Sequence, residues 1–406
     1  MLDIFAVIHN IDILIVAHLH HICEKGFFME NRFIIEQKPL LAILSSMQPI
    51  CGKRTALDIT SYIMFKVGHK EVVLKSTDLE ISLQSSCAIS EVQIDSPQSF
   101  LVSGKRIFDL VKELEGDITF SFNGQQLEIK AGTVDVALNV KDAQEFQPFA
   151  ERIENLMQLE SPFLLDMLGK VAFLIPQNNA NPALNGLLLE IDDTGLTMTT
   201  TDGHCLAQVR TPKYTLNESQ KWLLPRRAVF EVKKILESDD RKSEKDSAVF
   251  FGMCSNQLVV SGESFNFFTK LLVNEFPEYS AILDKKGFTP ATVDRAQLVK
   301  TLRRSACLLS GQFIATNFDF TPNVLQVSMH NTEVGKLHEE LPLDKFNSDK
   351  LAIRFYAPYV LNGLQAFSDS TLRFHLKNSA KPIIFESDVN EHHVLYLVMP
   401  VSPTNQ

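Results

Sequence analysis

One short pattern occurs three times along the chain, an apolar strand followed directly by an amphipathic helix. It reads FLVSGKRIFDLVKELEG at residues 100–116, WLLPRRAVFEVKKILE at 222–237 and LAIRFYAPYVLNGLQAF at 351–367. The copies recur at an interval of about 125 residues, well above the roughly 20 to 50 residues of solenoid repeats. Because each copy is long enough to bury its own core, the repetition predicts three similar domains.

Each repeat shows the same order of predicted elements: strand, helix, strands, strand, helix, strands. The predicted strands alternate apolar with polar side chains, as expected of sheets that bury one face. We therefore predict an α+β fold in which each domain packs two helices on antiparallel sheets. The predicted helices cover residues 38–47, 105–114, 162–174, 227–236, 296–309 and 358–367.

The stretches between repeats and the N-terminal segment set the predicted domain limits. Residues 1–28 are apolar but interrupted by Asp3, Asp12 and histidines, so they fit neither a signal peptide nor a membrane span. We interpret them as an extension outside the fold, with no metal site at His18, His20 and His21 because no second ligand cluster accompanies them. The predicted domains are residues 29–153, 154–283 and 284–406.

Composition excludes a globally basic nucleic-acid binder. Hydrophobic residues make up 45% of the 406 residues and charged residues 22%, which is typical of a globular protein, and the net charge is −10. The six cysteines are scattered without metal-ligand spacing, which favours reduced thiols and a cytoplasmic location. Any surface for nucleic acid must therefore be local.

Basic side chains do concentrate on several predicted helices. Taken alone, this pattern is typical of solvated helix faces. The alternative is a set of helices facing one anionic polymer, since duplex DNA carries a negative charge every ~1.7 Å and needs no base readout to be bound. The candidate DNA-binding residues that follow from helix charge are Lys105, Lys112, Lys170, Arg226, Arg227, Lys300, Arg303 and Arg304.

Several motifs occur in matching repeats and in order. They are NGLLLEI (185–191), TTDGHCLAQV (200–209), LLPRRAVFEVKKIL (223–236), EFPEYSAIL (275–283) and LVMP (397–400). From Met29 to about Pro403 the chain resembles the bacterial sliding clamps, the beta subunits of DNA polymerase III. The resemblance implies the DNA clamp fold and a ring of two three-domain subunits, head to tail, whose helices line a hole around double-stranded DNA.

The resemblance also assigns roles to individual positions. Arg54 matches a DNA-touching arginine, and Lys105 and Lys112 match arginines of the lining helix. At the subunit interface, Val136 and Leu138 match one strand and Leu308 and Leu309 match the facing helix. Such a contact is heterologous, because it joins different surfaces of the two subunits. It produces a closed ring only if the rotation relating one subunit to the next returns to the start after two subunits.

A peptide-binding groove between domains two and three is the family's docking site for the polymerase alpha subunit, the clamp loader and other proteins with a clamp-binding motif. Two arginines usual in the family are Cys205 and Ala281 here, and the chain ends differently after Pro400, which weakens the expected charged rim. The matching groove positions are Leu184, Thr201, Gly203, His204, Leu206, Pro277, Ile282, Tyr359, Val398, Met399 and Pro400.

Enzymatic function is not indicated by any motif. Asp202 and His204 could suggest catalysis, but Asp-Gly is typical of turns, and no GxSxG, HExxH, P-loop or GxGxxG is present. We expect no catalytic residues, no metal, no cofactor and no membrane partner. The alternative function is a peptide-binding repeat scaffold that does not encircle DNA.

Overall fold

The structure, a computed structural model, describes residues 31–52, 55–147, 153–238, 248–310, 314–389 and 391–401. The chain divides into two compact units, one ending at residue 149 and one beginning at residue 150. The first unit holds the first repeat, and the second unit holds the other two. The predicted extension 1–28 and the candidate Arg54 lie outside the described residues.

Each repeat contributes two α-helices to the described ranges, near the positions that the amphipathic pattern predicts. Their buried residues recur at helical spacing. Gly104, Ile107 and Val111, for example, are three and four residues apart and therefore lie on one face of their helix. The helices of each repeat contact one another as a pair. Their bounds are α1 (Gln37–Cys51), α2 (Gly104–Lys112), α3 (Ser161–Val171), α4 (Arg226–Ser238), α5 (Arg295–Ala306) and α6 (Ala357–Gly363).

The strands fall into the same three groups. In the first repeat they are β1 (Asn31–Glu36), β2 (Tyr62–Val67), β3 (Glu71–Thr77), β4 (Ile81–Ala88), β5 (Glu91–Gln93), β6 (Gln98–Ser103), β7 (Asp117–Phe122), β8 (Gln126–Ala131) and β9 (Val134–Asp142). In the second they are β10 (Glu154–Glu160), β11 (Gly186–Asp192), β12 (Gly195–Thr201), β13 (Cys205–Thr211), β14 (Gln220–Pro225), β15 (Ala248–Cys254), β16 (Gln257–Ser261) and β17 (Phe265–Lys270). In the third they are β18 (Thr289–Asp294), β19 (Thr316–Thr321), β20 (Val324–Asn331), β21 (Gly335–Pro342), β22 (Leu351–Phe355), β23 (Thr371–Leu376), β24 (Ile383–Val389) and β25 (His392–Val398).

Strand pairing repeats as well. The first strand of each repeat pairs antiparallel with the strand after the second helix, in the pairs β1–β7, β10–β15 and β18–β23. The strand before the second helix pairs with the strand after the first helix, in the pairs β2–β6, β11–β14 and β19–β22. Most of the remaining strands extend these pairs by hairpins, and β5 instead pairs with β1. The prediction of three similar α+β domains is thus confirmed.

Within the second unit, repeats two and three share one eight-stranded sheet, in the order β14-β11-β12-β13-β25-β24-β23-β18. The junction is the antiparallel pair β13–β25, in which Leu206 faces Leu397 and Cys205 faces Val398. This pairing fixes the residues of TTDGHCLAQV beside those of LVMP. Motifs nearly 200 residues apart in the numbering therefore meet at one place.

Some elements differ from the sequence prediction. Strand β10 begins at Glu154, at the predicted boundary between the first two domains, and the segments that form β5, β10, β18 and β21 were not individually assigned as strands from the sequence. Strand β21 leaves most side chains partly or fully exposed and buries only Leu341, so polar residues obscure its alternation. Helix α6 ends at Gly363 and continues as a 3-10 turn over Leu364–Ala366, earlier than the predicted end at 367.

Candidate functional site

The groove candidates centre on the turn between β12 and β13. The Asp202 carboxylate accepts hydrogen bonds from the backbone N–H groups of His204 (2.8 Å) and Cys205 (2.7 Å). Thr201 Oγ1 accepts one from Gly203 N–H at 3.1 Å. Gly203 has φ +94°, a left-handed conformation that disfavours other residues. Asp202 thus builds the turn that presents His204, which explains the Asp-Gly pair without catalysis.

His204 joins this turn to the third repeat. Its ring stacks on Tyr359 with centroids 5.5 Å apart, and its carbonyl accepts the backbone N–H of Met399 at 2.9 Å. The backbone N–H of Val401 donates to the Arg354 carbonyl at 2.8 Å, and the Tyr396 hydroxyl donates to the Tyr359 carbonyl at 2.8 Å. The segment after β25 is therefore held against both repeats.

An apolar cluster lies beside the turn. Leu206, Ile384, Leu395 and Leu397 are buried, and four half-buried side chains pack against them: Tyr279, Leu283, Phe288 and Met399. A cavity of about 480 Å³ opens next to Met399 and is lined by Ile282 and Phe288. Its size suits a few apolar side chains of a peptide.

The other groove candidates differ in their exposure. Leu184 lies behind the turn, since a Cβ added at Gly203 would sit 3.8 Å from its Cδ1. Pro277 is exposed, and Ile282 is 42% exposed, so both are available to a ligand. Tyr279 is fixed by its hydroxyl, which donates to Glu190 at 2.7 Å, and burial raises the pKa of this phenol to about 12. All eleven groove candidates lie in the second unit.

The two departures from the family pattern have different surroundings. Cys205 is buried at the start of β13, and desolvation raises the pKa of its thiol to about 12, which leaves it protonated and unreactive at neutral pH. Ala281 is exposed and lines the cavity. The cavity wall thus carries an uncharged methyl group at position 281, whereas the Cys205 side chain is withdrawn from solvent.

Several of the basic helix candidates already have partners. Arg304 forms a bidentate ion pair with Glu339 of β21, and Lys170 lies 3.7 Å from Asp166 one turn earlier. Arg226 donates from Nε to the Ile175 carbonyl at 3.1 Å, and its guanidinium lies 4.4 Å from the centre of the Phe230 ring. Because of these contacts, the three side chains have less positive charge and fewer N–H donors available for phosphate groups.

The remaining described candidates are more accessible. Lys112, Lys300 and Arg303 are exposed, and Lys105 is 78% exposed although it pairs with Asp109 at 2.7 Å. Arg227 is half-buried, and desolvation lowers its pKa from the ordinary value. Among the candidates, the accessible positive charge thus lies mainly on α2 and α5.

The interface candidates lie at sheet edges and at a helix end. In the described part of the first unit, residues 134–139 of β9 pair only with β8, and Val136 and Leu138 on this segment are half-exposed. In the second unit β21 is the outer strand of its sheet. Leu308 and Leu309 follow α5 and are half-exposed. Apolar side chains and unpaired strand edges are typical of surfaces that another chain covers.

Two further features are absent from the described residues. No helix among them is long and apolar enough to cross a membrane. None of the histidine, cysteine, aspartate and glutamate side chains in these ranges form a group of three or more that could hold a metal ion. His18, His20 and His21 lie outside the described ranges.

Comparison with known families decides the identity of the fold. Residues 31–150 match the N-terminal domain of the DNA polymerase III beta subunit, residues 158–278 its central domain and residues 281–402 its C-terminal domain. The three domains match in order and cover nearly all of the described chain. The chain belongs to the DNA polymerase III beta subunit family.

Individual relatives agree with this membership. The beta sliding clamp of Pseudomonas aeruginosa is 25% identical over 374 residues, covering 91% of this chain and 99% of the relative. That of Bacillus subtilis is 22% identical over 383 residues, with 91% and 99% covered. The crystal structure of the Bacillus subtilis sliding clamp has a TM-score of 0.84 at 21% identity, covering 92% of this chain and all of that one. A Pseudomonas aeruginosa clamp bound to griselimycin has a TM-score of 0.83 at 24% identity, covering 92% and 100%.

Sequence reasoning missed one part of the site. Lys286, Lys377 and Lys381 line the cavity next to Met399, yet they belong to two different loops. Neither loop contains a motif, and none of the three residues lies on a basic helix. Only the packing of the turn between β23 and β24 against the segment before β18 could have indicated them.

Proposed function

We propose that this protein is a sliding clamp: two copies form a closed ring around double-stranded DNA and tether the replicative polymerase to it. The observation that carries the proposal is the threefold repetition of one strand-pairing scheme in a member of the DNA polymerase III beta subunit family. We take the domains as residues 29–153, 154–283 and 284–406. The protein acts in the cytoplasm as a processivity factor without chemistry of its own.

The DNA contacts in this proposal are weak and numerous. Lys105, Lys112, Lys300 and Arg303 are the candidates that are accessible on the helices, and phosphate contacts of this kind carry no sequence information. A ring does not need tight contacts, because a closed protein cannot leave a closed DNA circle. The acidic total charge of −10 is compatible with this arrangement, since only the lining must be basic.

The subunit contact joins the first domain of one copy to the third domain of the other. The exposed edge of β9 with Val136 and Leu138 would lie against Leu308, Leu309 and the β21 edge of the partner. Pairing of two edges removes unsatisfied backbone groups from both copies. The half-exposed leucines and valine supply the apolar area that such a contact needs.

The groove would receive short segments of partner proteins, namely the polymerase alpha subunit, the clamp loader and other proteins with a clamp-binding motif. Apolar anchor residues of the peptide would pack on the cluster around Leu206 and Met399. The stacked rings of His204 and Tyr359 would form one side of the groove. A groove fixed on two strands is pre-organised, which lowers the cost of binding.

The proposal is tested by retention on DNA. With its loader and ATP, the protein should remain on nicked circular DNA through gel filtration at high salt and be lost from the same DNA made linear. A protein held only by electrostatic contacts would dissociate from circular and linear DNA equally, because high salt screens those contacts. A peptide-binding scaffold that never encircles DNA, the alternative function, would stay on neither. Equal loss from circular and linear DNA after confirmed loading would overturn the proposal.

A further inference from the structure

Positive charge rims the cavity next to Met399 in a way that the family resemblance does not assign. Ile282, Phe288 and Met399 provide apolar wall, and Lys286, Lys377 and Lys381 line the same cavity. All three lysines are exposed. The cavity also includes one carboxylate, that of Asp284, so the positive charges outnumber the negative one.

The loop that carries Lys286 is held in place. Asp284 accepts the backbone N–H of Lys286 at 3.0 Å, and the Phe288 N–H donates to the Lys285 carbonyl at 3.0 Å. Gly287, at φ +76°, makes the tight turn. Lys285 forms an ion pair with Glu386, whose side chain is only 8% exposed. Asp284 is thus engaged by the backbone, Lys285 by Glu386, and Lys286 is left facing the cavity.

The second loop is fixed against the first. The Lys377 ammonium donates to the Lys286 carbonyl at 3.0 Å and lies 5.8 Å from the centre of the Phe288 ring. The turn that follows is closed by the Ala380 N–H, which donates to Asn378 Oδ1 at 3.0 Å, and by the Lys381 N–H, which donates to the Asn378 carbonyl at 3.3 Å. Lysines from two loops, 91 residues apart in the case of Lys377 and Lys286, therefore converge at one place.

We propose that Lys286, Lys377 and Lys381 select partner peptides that carry carboxylates beside their apolar anchor. The proposal rests on the groove function and names its ligand class: an acidic, apolar-anchored segment of a partner protein. The apolar wall accepts the anchor, and the lysine rim attracts aspartate or glutamate next to it. The rim supplies positive charge close to Ala281, where the family usually has an arginine.

The size of the effect follows from the exposure of the lysines. Exposed ion pairs contribute little individually, so two carboxylates near three lysines should tighten binding by about five- to tenfold at low salt. The preference should shrink as ionic strength rises, because exposed charges are screened. Binding of the apolar anchor itself should change little with salt.

The experiment uses the full chain and two synthetic peptides with the same leucine anchor, one with aspartates on both sides and one with asparagines at those positions. Affinities are measured by fluorescence anisotropy for the natural protein and for a Lys286→Gln/Lys377→Gln/Lys381→Gln variant. The matched control is Lys66→Gln/Lys270→Gln/Lys350→Gln, which removes the same net charge from exposed lysines elsewhere. Duplex DNA affinity is measured for all three proteins.

The expected result is a five- to tenfold preference for the aspartate peptide in the natural and control proteins, and none in the cavity variant. Equal affinity of the natural protein for both peptides would overturn the inference and leave the groove function intact. A preference that survives in the cavity variant would place the recognition elsewhere, and a loss of duplex affinity alongside it would assign the lysines to DNA. Failure of both peptides to bind would overturn the groove function and the inference together.

Discussion

The candidate groove and the basic helices differ in how their side chains are held. In the groove several candidates have fixed neighbours: the Asp202 carboxylate holds the turn that carries His204, His204 stacks on Tyr359, and Leu206 and Met399 share one apolar cluster. On the helices the accessible candidate cations are long side chains on different helices, and other candidates already form ion pairs. The groove therefore depends on particular side chains, and the helices depend on total charge.

This difference has a consequence for substitutions. A single change in the groove removes a contact that nothing else replaces, whereas a single change on a helix removes one of several similar charges. Strand pairing between β13 and β25 makes the groove a property of two repeats at once. The candidate DNA-binding charge is spread over several helices and needs no such junction.

The largest effect should come from a charge placed in the groove. Met399→Asp should weaken peptide binding more than about 100-fold, because the carboxylate would be desolvated when an apolar anchor docks. Leu206→Asp should abolish binding too, and as Leu206 is only 2% exposed it should also lower the free energy of unfolding by roughly 3 kcal/mol. Peptide titration and thermal melting measure both, with Met399→Leu as the volume-conserving control. Undiminished affinity in Met399→Asp and Leu206→Asp would place the groove elsewhere.

The second effect concerns assembly. Leu308→Asp/Leu309→Asp should convert the dimer to a monomer, because two carboxylates would be buried against the partner's apolar edge. Light scattering should then give a mass near 45.7 kDa, the mass of one chain. Peptide affinity should stay unchanged, since the groove lies within one chain. Val273→Asp, at a valine that is 97% exposed, is the control that should leave the mass unchanged. A dimer that persists in the double variant contradicts the proposed interface.

A smaller effect is expected on the helices. Lys112→Gln, Lys300→Gln and Arg303→Gln should each reduce the slope of log affinity for duplex DNA against log salt by about one, the signature of a lost phosphate contact. Arg304→Gln and Lys170→Gln should change the slope less, because Glu339 and Asp166 already engage these cations. If Arg304→Gln and Lys170→Gln instead changed the salt slope more than the other three substitutions, the ion pairs with Glu339 and Asp166 would have to open when DNA binds.

The smallest effect concerns pH and the junction of repeats two and three. His392 of β25 is 4% exposed, and its Nε2 lies 3.0 Å from the Asp166 carboxylate of α3. Desolvation lowers the pKa of this imidazole from 6.5, although Asp166 opposes the shift and Lys170 adds to it. The unfolded chain then binds the proton more readily, so the stability contribution is complete above pH 6.5 and is lost as the pH falls through the lowered pKa.

Thermal melting between pH 7 and pH 5 tests whether the stability falls as the pH is lowered. The natural protein should lose stability on acidification, and His392→Gln should lose less over the same interval. Identical slopes in both proteins would show that the imidazole stays unprotonated or that other groups dominate. Retention of the loaded ring on circular DNA should not follow this pH dependence.

The sequence predicted most of the fold because the repeat makes every pattern appear three times. Amphipathic spacing located all six described helices to within a few residues, as in α4 (Arg226–Ser238) against the predicted 227–236. Strand β21 escaped prediction because one side of it faces solvent and its charged residues hide the alternation. Strand β10 resembled a linker because its stretch mixes charges with apolar residues.

The site was predictable only where neighbours in space are also marked by motifs. Leu206 and Met399 belong to recognisable segments that strand pairing brings together. The partner of Arg304 is Glu339, 35 residues away, and no local pattern indicates that contact. The lysines of the cavity were missed for the same reason, since two loops without motifs converge there.

The most direct test of the central claim follows one population of loaded protein before and after the DNA is cut. A fluorescent natural protein and a Lys112→Gln/Lys300→Gln/Arg303→Gln variant are each loaded on nicked circles, moved to high salt, and followed while a restriction enzyme linearises the circle. If retention is topological, both proteins stay until the cut and both leave promptly after it, although their charge differs. Steady loss before the cut, or faster loss of the variant from intact circles, would contradict encirclement and show that phosphate contacts hold the protein on DNA.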